Sequence, residues 1–271
     1  MAHTKKDAGL HYVRSLLQRG YHTFTRKEAE AVLGGGTSLS NKLSRLADDG
    51  WIMPVGRGFY AIIEPGVQRY GFAGPESFLD AWASYRSLEY YVGGLNAAEL
   101  HGASHQRVQG YQVVTSRALR PFIHSDLKVT FFRKLDISGS MFEQRAVSSG
   151  FLRVSTPEVT AYDLLFFPTM CRSLSRVATI LVELGEALKP SALGRLAESG
   201  CELAALQRLG WLLDHVGWST LTEPLRRAVE KQHSPWRLLE PGLPRSGPRD
   251  EKWCIIANSD VQPDIERNPT A

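Results

Sequence analysis

The stretch TRKEAEAVLGGGTSLSNKLSRLADDGWIMPVGRGFYAII, residues 25–63, decides the fold of the first part of the chain. Thr25 stands where a helix N-cap belongs. Glu28, three residues on, completes a capping-box pattern, in which a hydroxyl and a carboxylate each satisfy a helix-end amide. The helix over R-K-E-A-E-A-V-L ends at Leu33, where three glycines break it. Thr37 or Ser38 then caps a further helix, S-L-S-N-K-L-S-R-L-A-D-D, closed by Gly50. W-I-M-P-V and F-Y-A-I-I flank G-R-G, two strand-forming runs around a glycine turn, which signals a hairpin. Upstream, Lys6 to Arg19 is helix-compatible, with Leu10, Val13 and Leu17 on one face and Gly20 as a stop. Helix, short helix, tight turn, helix and two-stranded wing is the order of a winged helix-turn-helix.

In the last of these helices Leu39, Leu43 and Leu46 share one face, which should bury against the other two helices. The other side carries Ser38, Asn41, Lys42 and Arg45, residue types that bond phosphates and base edges, with Arg–guanine and Asn–adenine the common specific pairs. A recognition helix offers its N-terminal half to the major groove, which favours Asn41 and Lys42 over Asp48 and Asp49 as base readers. Arg57, between two glycines at the wing tip, is placed to meet a phosphate or the adjacent minor groove. Any exposed helix face is polar, and winged helices also serve as protein-binding modules. Charge favours nucleic acid here. Residues 1–64 hold nine Lys/Arg against six Asp/Glu, most of the chain's net +4 in under a quarter of its length. The expected domains are a winged helix over 1–66, a linker over 67–74 and a larger domain over 75–271.

The second domain reads as mixed α+β with a helical C-terminal half, so the fold class is α+β. Pro75 begins a helix that continues through Phe78, Leu79, Trp82 and Tyr85, and L-N-A-A-E-L-H-G is a short helix stopped by Gly102. Strands are expected at 111–115, 128–132 and 151–154. Ser155 or Thr156 then caps a helix from Pro157, and residues 173–233 are almost wholly helical. Residues 234–250 read as a Pro/Gly loop, and W-C-I-I-A at 253–257 as a strand returning to the sheet. Trp82, Trp211, Trp218, Phe166 and Phe167 fall at helical spacings, which suits core better than a stacking platform.

No nucleotide-binding, hydrolase-elbow or metalloprotease pattern is present, so no catalytic residue, metal or cofactor is assigned. His101 and His105 could share a helix face, but Gly102 ends that helix and no third ligand is nearby. Asp126-x-Lys128 is a fragment of what a metal-dependent nuclease uses, without an upstream acid. Asp163, one turn inside its helix, reads as a structural carboxylate. Three widely spaced cysteines, no apolar run long enough for a membrane span and no signal-peptide pattern point to the cytoplasm and away from membranes.

The order of features resembles a known family. A short winged helix precedes Y-Y-V-G-G-L-N-A-A-E-L-H-G (90–102), V-V-T (113–115), V-S-T-P-E-V-T-A-Y-D-L-L (154–165) and W-C-I-I-A-N-S-D-V-Q-P-D (253–264). This is similar to the AbiE-type antitoxins of type IV toxin-antitoxin (abortive phage infection) systems. The resemblance implies a transcriptional autorepressor that binds inverted repeats in the double-stranded DNA of its own promoter. It also implies an antitoxin domain countering a nucleotidyltransferase-like toxin encoded beside it. In the family the winged helix is the DNA-binding part, a role that falls here on Ser38, Asn41, Lys42, Arg45 and Arg57. Gly93-Gly94 and Ser155/Thr156-Pro157-Glu158 match as structural features. Two other function classes stand beside this one. One is a metal-dependent nuclease or DNA-modifying enzyme targeted by the winged helix, the other a regulator whose second domain senses a small effector.

Overall fold

The computed structural model describes residues 8–103 and 110–265. The N-terminal part contains α1 (Ala8–Gln18), β1 (Thr23–Thr25), α2 (Arg26–Leu33), α3 (Gly36–Asp48), β2 (Ile52–Gly56) and β3 (Phe59–Ile62). The Thr25 capping box forms: Thr25 Oγ1 accepts from the Glu28 amide at 3.3 Å, and the Glu28 carboxylate accepts from the Thr25 amide at 2.6 Å. Helix α3 differs from its expected start. Its N-cap is Gly35 rather than Thr37 or Ser38, because the glycine run closes the turn by itself and lets the helix begin at Gly36. Thr37 and Ser38 therefore lie in the first helical turn with exposed side chains.

The leucine face of α3 buries as its spacing predicts. Leu39, Leu43 and Leu46 join Tyr12, Val13 and Leu16 of α1, Ala29 of α2, and Phe24, Ile52 and Ile62 of the strands in one apolar core. The wing has a third strand that the sequence reading did not foresee. Strand β1 pairs antiparallel with β3, giving the order β1-β3-β2. Phe24 holds it there, stacked on Tyr60 at 5.2 Å and edge-on to Tyr12 at 5.4 Å.

Next come α4 (Leu79–Tyr85), β4 (Tyr90–Val92), α5 (Gly94–Leu100), β5 (Tyr111–Thr115), β6 (Phe122–His124) and β7 (Leu127–Arg133). They are followed by β8 (Phe142–Val147), β9 (Gly150–Ser155), α6 (Pro157–Phe166), α7 (Leu174–Leu184), α8 (Pro190–Glu198), α9 (Leu203–His215) and α10 (Glu223–Lys231). A six-stranded sheet runs in the order β6-β7-β5-β4-β9-β8, with β5 parallel to β7 and β4 parallel to β9. The three expected strands are present as β5, β7 and β9; the short β4 and β6 and the mostly exposed β8 complete the sheet. Pro75 opens a 3-10 turn, Pro75–Ser77, before α4 instead of one continuous helix.

The described chain divides into two compact units. The first comprises 8–91, 110–137 and 144–153, and the second 92–103, 138–143 and 154–265. The second is built around α6, whose residues Glu158 to Leu165 are all buried. That helix has no polar face, so α5, α7, α8 and α9 surround it. Its polar groups are matched internally. Thr156 caps it, Thr160 Oγ1 lies 2.7 Å from Ser155 Oγ, Glu158 accepts from the Lys189 amide at 2.9 Å, and the Tyr162 hydroxyl accepts from the Glu202 amide at 2.9 Å.

The C-terminal apolar run does not return to the main sheet as expected. Residues Ile255–Ile256 form β12, which pairs with β10 (Arg237–Leu238) and β11 (Arg249–Asp250) in a separate small sheet. Both partner strands come from the segment read as loop, and the reason is Trp253. This residue is fully buried against α9, so it fixes the segment beside the helices. Its indole N–H donates to Asp214 Oδ2 at 2.6 Å, which also accepts from Lys252 Nζ at 2.6 Å, while Asp214 Oδ1 accepts from Thr222 Oγ1 at 3.0 Å.

Burial pushes the Asp214 carboxyl up, but hydrogen bonds from Lys252, Trp253, Ser219 and Thr222 outweigh it and hold it below the ordinary carboxylate value. A depressed folded value means that this stabilisation is present above pH about 4 and is lost as pH falls through the folded value. Asp214→Asn is expected to cost about 2 kcal/mol at neutral pH. The difference from wild type should shrink as the pH is lowered below about 4 in denaturant titrations.

Candidate nucleic-acid interface

At about 100° per residue, the direction opposite Leu39, Leu43 and Leu46 on α3 is that of Asn41. Ser38, Asn41 and Arg45 are exposed along that stripe, and no acidic side chain precedes Asp48 in the helix. Lys42 lies nearer the core and is half-buried. Its Nζ donates to the Leu33 carbonyl at 2.7 Å, at the C-terminal end of α2. A cation there satisfies an orphan carbonyl and complements the helix dipole. Lys42 thus fixes the turn between α2 and α3.

Arg57 is exposed at the apex of the β2–β3 wing. The register shifts between Pro54 and Gly56, so Gly56 rather than Val55 faces Phe59. Gly58 takes φ +71°, a left-handed conformation that suits glycine, and this closes the hairpin behind Arg57.

Arg26, which the sequence reading did not single out, joins the two surfaces. Its backbone amide donates to the Gly58 carbonyl at 2.7 Å, and its Nη2 donates to Ser40 Oγ on α3 at 2.9 Å. One residue therefore ties the wing apex to α3 at Ser40, on the flank of the helix next to the stripe direction of Asn41. Arg26 directly follows the N-cap Thr25 in sequence. Its proximity to the wing depends on the β1–β3 pairing, which the sequence did not reveal.

The weaker candidates fall elsewhere. Asp126 and Lys128 are exposed at the β6–β7 turn. The imidazole Nε2 of His101 lies 2.7 Å from the Ser155 carbonyl oxygen, and His105 is outside the described residues. Among the described residues no three His, Cys, Asp or Glu side chains converge as a metal site, and no helix is long and apolar enough to cross a membrane. Asp163 is fully buried within α6. Trp82 is core, whereas Trp211, Trp218, Phe166 and Phe167 are only half-buried around the helices.

Comparison with known proteins agrees with this architecture. Residues 11–63 match a family described as a transcriptional regulator, AbiEi antitoxin, and residues 91–215 match the AbiEi antitoxin C-terminal domain. A crystal structure of the Rv2827c protein from Mycobacterium tuberculosis is similar in fold, with a TM-score of 0.67 over 90% of this chain and 89% of that one, at 18% identity. No curated protein matches the chain by sequence. The two matches fall on the winged helix and on the region that follows it, in the order of the family's domains, and the chain belongs to the AbiEi-type family of antitoxins and transcriptional regulators.

Proposed function

We propose that this chain is a non-enzymatic, cytoplasmic repressor of its own operon and the antitoxin of a type IV toxin-antitoxin pair. Residues 1–66 bind inverted repeats in the promoter, and 75–271, joined through 67–74, counter a nucleotidyltransferase-like toxin encoded beside it. The observation that carries the DNA half is the Arg26 bridge. It ties an arginine-tipped wing to α3 at Ser40, and this helix exposes Ser38, Asn41 and Arg45 and carries no acid over its first three turns. In this reading Asn41 and Arg45 meet base edges, Ser38 and Arg57 meet the backbone or minor groove, and Lys42 holds α3 at its angle to α2 while lying within reach of a phosphate. The antitoxin half rests on the family of residues 91–215.

Two experiments test the halves separately. Titration of upstream DNA with the full chain in a salt series is expected to give competitor-resistant binding whose affinity falls steeply with added salt. Co-expression with the neighbouring gene is expected to restore growth that the neighbour alone suppresses. Growth arrest unrelieved by this chain would remove the antitoxin role and leave the repressor role standing.

A further inference from the structure

The wing is held from outside the winged helix. Helix α4 presents Trp82 and Tyr85, one turn apart, to the two glycines that flank Arg57. A methyl group on Gly56 would lie 3.4 Å from Trp82 Nε1, and one on Gly58 would lie 3.4 Å from the Tyr85 hydroxyl. That hydroxyl donates to the Arg57 carbonyl at 3.3 Å, and the Tyr85 ring packs on Phe59 at 5.3 Å. Tyr85 keeps 47% of its surface exposed, so a general core requirement does not account for it.

The platform behind these contacts is itself packed and hydrogen-bonded. Trp82 is 6% exposed and stacks on Phe131 of β7 at 5.6 Å. Arg117 Nη2 donates to the Arg86 carbonyl at 2.6 Å and the Ser87 carbonyl at 2.9 Å, where α4 ends and Ser87 turns to φ +48°. An arginine at the tip of an unsupported two-stranded hairpin would sample many directions, and each would have to be frozen on binding. Here the Arg57 carbonyl is held by Tyr85 and the neighbouring Gly56 lies against Trp82, while Arg57 itself is exposed.

The geometry points to Tyr85 as a positioning residue for nucleic-acid binding: through α4 it aims the wing arginine Arg57, making the segment after the winged helix part of the DNA-reading apparatus. This inference rests on the DNA-binding reading above.

A double-mutant cycle on upstream DNA tests it with the full chain: wild type, Tyr85→Ala, Arg57→Ala and the double variant, with Tyr85→Phe alongside. Tyr85→Ala is expected to weaken specific binding about fivefold with the melting temperature nearly unchanged, because the tyrosine is half-exposed. Tyr85→Phe keeps the ring on Phe59 and should lose about twofold or less. In the Arg57→Ala background Tyr85→Ala should have no further effect, since its influence passes through the arginine. Equal losses in both backgrounds would overturn the proposal and make Tyr85 an independent contact. So would unchanged affinity in Tyr85→Ala, or in Arg57→Ala, while wild type binds specifically. Absence of specific binding by wild type itself would instead remove the DNA-binding reading.

Discussion

Replacing Gly210 with alanine is expected to destabilise the second unit by about 3 kcal/mol, although alanine is the better helix former by about 1 kcal/mol. Gly210 is buried in α9, and a Cβ there would collide with Cζ3, Cη2 and Cε3 of the Trp253 indole. Trp253 cannot retreat without loss, because it is fully buried and its N–H belongs to the Asp214 network. Gln207 Nε2 also donates to the Trp253 carbonyl at 3.0 Å, fixing the backbone on the same side. The added methyl must therefore push α9 away or expel an aromatic ring from the core. Gly194→Ala is the matched control. It too lies in a helix, α8, but its Cβ would meet only Pro224 Cβ at an ordinary 3.4 Å. Gly194→Ala should be neutral or stabilising by up to about 1 kcal/mol, following propensity alone. Equilibrium denaturation followed by tryptophan fluorescence distinguishes the two. If Gly210→Ala behaved like Gly194→Ala, the docking of the C-terminal segment on α9 would be wrong.

The second large effect is on affinity. Arg45→Ala is expected to weaken specific binding to upstream DNA by about tenfold or more, the ~1–3 kcal/mol that a base-contacting arginine supplies. Arg45 is exposed and has no side-chain hydrogen bond or ion pair among the described residues, so its loss should change stability by less than about 0.5 kcal/mol. The salt dependence separates the two contact types. A base contact shows as relaxed preference among mutated operators with the salt slope retained, whereas a phosphate contact reduces the slope by about 1. Lys42→Ala should behave differently. Removing its bond to the Leu33 carbonyl leaves the end of α2 without that donor, so a stability loss should accompany any loss of affinity.

What was legible in the sequence was set by local rules. The Thr25–Glu28 capping box, the leucine spacing of α3, the hairpin around Arg57 and the Thr156-Pro157 start of α6 each depend on a few neighbouring residues, and each formed as read. The features that escaped depend on partners distant in sequence. Strand β1 has three residues and exists because β3 lies beside it. The same pairing brings Arg26 to the wing, so the bridge could not be inferred from R-K at a helix start. The platform under the wing comes from α4, which the sequence reading placed across a linker. The start of α3 escapes these local rules for a subtler reason. Ser and Thr are the usual caps, and only the backbone path through Gly35 shows that no side-chain cap is used. The strand at 253–257 was displaced by the large side chain of Trp253, which found its cavity against a glycine 43 positions earlier in the chain.

If the winged helix reads a defined operator, as proposed, protection mapping of the DNA upstream of the chain's own gene shows it most directly. Two protected half-sites related as an inverted repeat are expected, their centres about one helical turn or a multiple of it apart. Protection should survive scrambled competitor and disappear in Arg45→Ala combined with Arg57→Ala. Sequence-blind binding that vanishes between about 50 and 200 mM salt would contradict it, since phosphate attraction alone behaves that way.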